Sequence, residues 1–286
     1  MSGLSGQTIQ FRAMTAVDIP DAHALSQLVK WPHRAEDWAF VFELGEGVVA
    51  LDGEQTIGVA MAWKFGSNHA SLGLVIVAPE CQGRGVGKEL MQRLLAAVPG
   101  RTVSLIATPA GAPLYKSLGF TATGVSIHQH QGAVFDVPML PLARGERVRP
   151  LGHSDVDTLA ALSLRSNGQL RREMFQALME VAEGVALVDE GEMRGFAFYR
   201  RFGRGFVIGP VVANNQRQAQ ILIAHWLSCN IGIFNRIDVL SSSALSYWLS
   251  GMGLVQVDTV TAMCLGEPVE GDGSAPCFAI TNQALG

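Results

Sequence analysis

The sequence predicts two tandem α/β domains, each a central mixed β-sheet flanked by helices. Three observations carry this reading. The chain has 286 residues, enough for two domains of ordinary size. Hydrophobic residues make up 48% and charged residues 16%, a composition that supports buried sheets and excludes a disordered chain. Two stretches also begin and end alike. Arg12-Ala-Met14, Asp18 and Leu25 recur as Arg149-Pro-Leu151, Asp155 and Leu162 at one shared offset, and Leu114-Tyr-Lys-Ser-Leu-Gly-Phe120 matches Ser246-Tyr-Trp-Leu-Ser-Gly-Met252 at nearly the same offset. A constant offset across both halves is the signature of a duplicated unit.

In the first half, Thr8–Ala13 reads as a strand and Asp18–Val29 as an amphipathic helix, with Asp18 placed as its N-cap. Asp155 is placed likewise in the second half. Ala35–Glu43 is a short helix. Gly47–Asp52 and Thr56–Phe65 form a hairpin around Asp52-Gly53. Ser71–Val77 is a strand, Gly87–Ala97 a helix, Thr102–Ala107 a strand and Ala112–Leu118 a helix stopped by glycine. Phe120–His130 and Ala133–Leu140 are expected to pair, turning at Gln131-Gly132. Gly184–Leu265 repeats this order. The Pro/Gly/charged stretch Pro141–Glu146 marks the boundary, giving domains over residues 1–142 and 147–286. Glu267–Pro276 reads as loop.

Net charge is −4 and the isoelectric point about 6.0, so no nucleic-acid partner is expected; the clusters Arg144/Arg147/Arg149 and Arg194/Arg200/Arg201/Arg204 read as solvated faces. Mean hydropathy is +0.24, yet no uncharged apolar run reaches the roughly 18–20 residues of a membrane span. Met1–Gln10 lacks the basic start and apolar core of a secretory leader. Cys81, Cys229, Cys264 and Cys277 show neither CxxC nor zinc-finger spacing, so no metal is expected and the thiols read as unpaired, with Cys81 the one candidate for reactivity. The expected location is the cytoplasm.

The most informative stretch is Val75-Ile-Val-Ala-Pro-Glu-Cys-Gln82-Gly83-Arg84-Gly85-Val86-Gly87-Lys88, which runs strand, loop, helix N-terminus. A helix N-terminus presents unpaired N–H groups and the positive end of its dipole, and glycines let the backbone close on an anion. The segment is suited to a phosphate or pyrophosphate. It is not a GxxxxGK[ST] loop, because only three residues separate Gly83 from Gly87. It is not GxGxxG either, and it follows several strands rather than the first.

The pattern Gln82-x-x-Gly85-x-Gly87 after a strand ending in Val-x-Pro resembles the GNAT superfamily of N-acyltransferases, as do Ala112-Pro-Leu114-Tyr115-Lys-Ser-Leu-Gly119-Phe120 downstream and the opening Arg12, Asp18, Leu25. The resemblance covers Gln7–Leu140. It implies an acyl-CoA-dependent N-acyltransferase that uses acetyl-CoA and acts by direct attack of the amine of a small metabolite. It implies pantetheine along Val75 and Val77, the pyrophosphate on Gln82, Gly83, Arg84, Gly85, Val86 and Gly87, and Ala112 and Tyr115 beside the coenzyme A. It also implies that the amide of Val77 supports the oxyanion and that Tyr115 donates a proton to the departing thiolate; packing or orienting the cofactor is the other role open to Tyr115. The base stays open among Glu43, His69, Glu80, His128, His130 and a water. His128 and His130 share one face of a strand expected near the acceptor mouth. Trp31, Trp38 and Trp63 line the pocket or pack the core.

In the second half Asn214-Asn-Gln-Arg-Gln-Ala219 replaces the glycine loop, while Tyr247 keeps the frame of Tyr115. The arrangement is similar to tandem GNAT proteins with one intact and one degenerate domain, the latter shaping the acceptor site or an interface. The expected partner is a small-molecule amine, and a homodimer is allowed. The alternative from another class is a non-catalytic acyl-CoA-binding sensor or scaffold.

Overall fold

The computed structural model describes residues 8–286. The N-terminal stretch tested above for a leader therefore lies mostly outside the described residues. The first half runs β1 (Gln10–Ala13), α1 (Ile19–Leu28), α2 (Ala35–Glu43), β2 (Glu46–Asp52), β3 (Gln55–Phe65), β4 (His69–Val77), α3 (Val86–Ala97), β5 (Thr102–Ala107), α4 (Ala112–Ser117) and β6 (Thr121–Ala133). The second half repeats it as β7 (Glu146–Pro150), α5 (Val156–Asn167), α6 (Arg172–Val181), β8 (Glu183–Asp189), β9 (Glu192–Phe202), β10 (Gly205–Ala213), α7 (Gln216–Cys229), β11 (Phe234–Leu240), α8 (Ser246–Gly251) and β12 (Val255–Leu265). A short strand, β13 (Cys277–Ala279), follows.

The repeat is visible in side-chain chemistry. Arg12 grips Asp18 through two hydrogen bonds of 2.7 and 2.6 Å, and Arg149 grips Asp155 at 2.8 and 2.7 Å. Both aspartates stand at the N-cap position of the helix that follows, as expected, but neither side chain accepts a hydrogen bond from that helix. Each carboxylate instead reaches back three residues, Asp18 to the amide of Thr15 and Asp155 to that of Gly152. The expected N-caps are thus turn-closing residues, because the preceding 3-10 turn presents the nearer unpaired amides.

All strands join one sheet in the order β1-β2-β3-β4-β5-β12-β6-β11-β13-β10-β9-β8-β7. The hairpin expected within 120–140 does not form. β6 continues unbroken through Gln131-Gly132 to Ala133, and residues 134–143 carry no strand. β6 lies between β12 and β11, and β12 pairs with β5. The halves therefore exchange strands: β5 takes β12 of the second half as its neighbour, and β11 takes β6 of the first. The physical reason is Gly132, extended at φ 159°, where a Cβ would stand 2.4 Å from the carbonyl of Gly253. That close backbone approach to the second half takes the place of a turn.

β4 and β5 pair in parallel only over His69–Ser71 and Thr102–Ser104, then part. The parting coincides with a β-bulge: Val59 pairs with Ile76 and Met61 with Gly73, so β4 holds one residue more than β3 between these points. Leu74 there adopts a left-handed φ of 52°. The second half repeats the feature. β10 and β11 pair over Phe206–Ile208 and Asn235–Ile237, β10 bulges after Ile208, and the two strands part. This second gap is filled by the chain itself. β13 pairs with β10 at Val211 and Val212 and with β11 at Val239.

Candidate active site

One cavity of about 810 Å³ occupies the gap between β4 and β5. Its walls include Val75, Val77, Gln82, Gly83, Gly85, Val86, Gly87 and Tyr115. Two residues named with them from the sequence are not brought there. Arg84 turns away to Asp52, 3.2 Å distant, and Ala112 is not among the lining residues. Arg84 is drawn outward because a charged partner lies on that side.

The loop end is built for an anion. Gly83 and Gly85 hold φ of 75° and 81°, and a Cβ on either would point into open space. Gly85 is the N-cap of α3, so the first amides of that helix have no intrahelical acceptor. The equivalent end of α7 is already satisfied: the Asn215 side chain accepts from the amide of Gln218 at 3.0 Å. With β13 in the gap and this amide capped, the second half offers no matching cradle.

Along the gap, the amide of Ala78 donates to Ile57 of β3. Amides alternate sides along a strand, so those of Val77 and Val75 face the gap. Gln82 donates its side-chain amide to the Val77 carbonyl at 3.2 Å. Tyr115 stands on α4 with its ring edge-on to Phe120. The fit behind it is tight, since a Cβ on Gly111 would lie 2.9 Å from the ring. Burial pushes the phenol up to about 12, which keeps it protonated, and its hydroxyl has no hydrogen-bond partner among the described residues. Tyr247, its counterpart in the repeat, is 93% exposed.

None of the side chains considered as the base lines the cavity. Glu43 and Glu80 are exposed. His69 is buried and hydrogen-bonds Ser104 at the closed end of the gap. His128 and His130 do share a face, but it is the face away from the cavity. His128 meets Ser246 of α8, His130 meets the carbonyl of Leu254, and Gln129 between them lines the cavity instead. The imidazole that does line it is His33, in the α1–α2 connection. Burial, then the positive charge of Arg236, pushes His33 down to about 4, so the ring is neutral at physiological pH. Its Nδ1 is buried without a partner. Nothing in its spacing pointed to it, because its surroundings come from distant strands. Trp31 lines the cavity, whereas Trp38 and Trp63 are core. Cys81 lines it too, and all four cysteines are unpaired.

The far end of the cavity belongs to the second half. Arg236 of β11, Asp258 of β12, and Gln283 and Ala284 of the C-terminal segment face Trp31, His33 and Gln129. Among the described residues no helix is long and apolar enough to cross a membrane, and no three His, Cys, Asp or Glu side chains are grouped as metal ligands.

Comparison with known proteins agrees with this geometry. Two family models, both described as acetyltransferase (GNAT) domains, match residues 43–122 and 159–275. An uncharacterized N-acetyltransferase of Bacillus subtilis, YitH, is 26% identical over 222 residues, covering 76% of each chain. A candidate acetyltransferase from Pyrococcus horikoshii superposes with a TM-score of 0.80 at 22% identity, covering 100% of this chain and 99% of its own. A tandem GNAT protein from the clavulanic acid biosynthesis pathway superposes with a TM-score of 0.64 at 13% identity, over 90% and 98%. With a family match in each half and the fold of each reproduced around one joint sheet, the chain belongs to the GNAT acetyltransferases and is a tandem N-acetyltransferase.

Proposed function

We propose that this protein transfers an acetyl group from acetyl-CoA to the amine of a small metabolite, with the cofactor held by residues 1–142 and the acceptor end completed by residues 147–286. The observation that carries this is the single cavity lined by the glycine loop, by Tyr115 and by Arg236, Gln283 and Ala284 of the other half. Bound acetyl-CoA supplies an acyl group activated as a thioester.

The amides from Gln82 to Gly87 would hold the pyrophosphate, and Val77 and Val75 would hold the pantetheine amides. Val77 adjoins the loop. At about 3.3 Å per residue it lies roughly 13 Å from Gly73. The bulge at Leu74–Val75 is nearer the closed end, so the oxyanion role inferred for Val77 passes to the amide of Val75. Tyr115 donates a hydrogen bond to the sulfur as it leaves. The amine attacks as the free base, and His33, held neutral, orients it by accepting a hydrogen bond. The proton shed by the new amide nitrogen leaves through water, and the departing thiolate takes its proton from Tyr115, which water restores.

Acetyl is favoured over longer acyl groups because the closed end is filled. Ala284 packs against Gly73, where a Cβ would lie 3.1 Å from its Cα, and the Trp63 ring stands at 3.3 Å from the same point. The binding-only alternative would leave Tyr115 only the task of packing or orienting the cofactor.

The test is thermal unfolding with and without acetyl-CoA for wild type, Gly85→Ala and Gly85→Glu. A ligand at a hundred times its Kd stabilises by about 2.7 kcal/mol, a shift of several degrees. Both variants pay for the left-handed backbone, but only Glu places a carboxylate in the cradle. The expected result is a shift in wild type and Ala but none in Glu; no shift in wild type sinks the proposal.

A further inference from the structure

The acceptor end of the cavity carries an unusual charge arrangement. Arg236 is 11% exposed, and Asp238 is 1% exposed. Asp238 accepts from Arg236 Nε at 2.9 Å and from Nη2 at 2.6 Å. One edge of the guanidinium is thereby fixed, and Nη1 has no hydrogen-bond partner among the described residues. Arg236 lines the cavity in this pose. Behind it, Arg200 is 3% exposed, lies 3.6 Å from Asp37, and has Nε and Nη2 buried without partners. Asp37 is shared with Arg34 at 2.9 Å. Three guanidinium groups thus meet two buried carboxylates, with the exposed Glu36 3.9 Å from Arg34 on the outer side, and Lys30 adds a further cation to the lining. His33 lies within this field, which opposes its protonation. The one acidic side chain in the lining is Asp258, exposed on the rim.

On the strength of the acyltransferase reading above, we propose that the acceptor is an amino-acid-type molecule, whose carboxylate is received by the free edge of Arg236 while its amine faces the thioester. A guanidinium pinned by a buried carboxylate presents its remaining N–H groups without losing side-chain freedom on binding. A neutral amine would leave that edge desolvated and unpaired. A diamine would meet Arg236 and Lys30 with like charge. A zwitterion satisfies both signs as it enters: its ammonium meets Asp258 at the rim, loses its proton to solvent there, and turns in as the free amine once Arg236 holds the carboxylate. Gln129 and Gln283, 3.4 Å apart, supply neutral donors and acceptors beside it.

The test uses the full chain with saturating acetyl-CoA and reads free thiol. A panel of L-amino acids is compared with the amine left by decarboxylating each one. The expected result is that an amino acid outruns its decarboxylated partner by about a hundredfold in kcat/KM. Arg236→Gln should bring that ratio close to one by raising the amino acid's KM, while the acetyl-CoA thermal shift persists. Because this variant strands Asp238, the pair Arg236→Gln/Asp238→Asn is run beside it, and it must lose the preference as well. Decarboxylated amines reacting as well as amino acids, or neither series reacting in a protein that acetyl-CoA stabilises, would overturn the inference. Absence of the acetyl-CoA shift in wild type would instead overturn the acyltransferase site, and this inference with it.

Discussion

Ser71, in the last parallel pair before β4 and β5 part, donates its hydroxyl to the main-chain carbonyl of Ala284 at 2.6 Å, across 213 residues of sequence. This bond ties the C-terminal segment to the closed end of the first half's cavity. The segment is secured on its other side by Arg171, which donates to the carbonyl of Gly286 at 2.7 Å and also bonds Gln169. Asn282 closes the turn between these anchors by accepting from the amides of Ala284 and Leu285. The segment that fills the second half's gap therefore also floors the first.

Acyl length should follow residue 284. Ala284→Gly is expected to raise kcat/KM for propionyl-CoA relative to acetyl-CoA by about tenfold, the scale of one methylene in an apolar pocket. Ala284→Val should lower the value for acetyl-CoA by at least as much. Steady-state rates with acetyl-, propionyl- and butyryl-CoA check this, and an unchanged ratio would place the acyl group elsewhere.

Removing the Tyr115 hydroxyl should separate binding from turnover. General acid assistance contributes about 10² to 10⁴ in rate. Tyr115→Phe is expected to lower kcat by at least 10²-fold while leaving the acetyl-CoA thermal shift in place. Stability should change little, since no described residue hydrogen-bonds that hydroxyl. A full-rate variant would leave Tyr115 only a packing role.

Stability should fall in two acid windows. His33 and His69 are each pushed down to about 4, burial being the main cause. Between about pH 6.5 and 4 the unfolded chain binds these protons and the folded chain does not, so stability declines as pH falls through that range. The drop expected from pH 6.5 to 4.5 is on the order of 2 kcal/mol for each of the two histidines. Asp18, held to about 2 by Arg12, and Glu146, held to about 2 by Arg217, act oppositely in cause but alike in direction: their contribution is complete above the ordinary carboxylate range and is lost toward pH 2. Urea melts at pH 7, 5.5, 4.5 and 3 resolve the windows. His69→Gln should roughly halve the drop in the upper window and leave the lower one unchanged.

The two halves should not stand apart. Residues 1–142 produced alone would lack β11 and β12, leaving one edge of β5 and both edges of β6 bare, and exposed edges pair with other chains. That fragment is expected to aggregate or to melt without cooperativity, and mixing it with residues 143–286 should restore a cooperative transition. Cooperative unfolding of 1–142 by itself, with acetyl-CoA stabilisation, would contradict this.

Much was legible along the chain because local signals report local structure. The strand Thr102–Ala107 and the helix Ala35–Glu43 fall at the expected residues, and the glycine loop stands at a helix N-terminus because strand, turn glycines and amphipathic period lie side by side in sequence. The recurring Arg and Asp positions were visible for the same reason, though their pairing was not. What the sequence alone determined is therefore the repeat, the family and the loop end of the cavity.

The tertiary structure decided the rest. It placed β12 beside β5, turned His128 and His130 away from the cavity, and sent residues 277–284 through one gap and under another. It also brought His33 and Arg236 to a common mouth. These relationships depend on backbone approach between residues more than a hundred positions apart, as where Gly132 meets Gly253. No periodicity along one segment encodes such a contact. It is selected by burial and hydrogen bonding of the whole sheet, where each half satisfies its open strand edges with strands of the other.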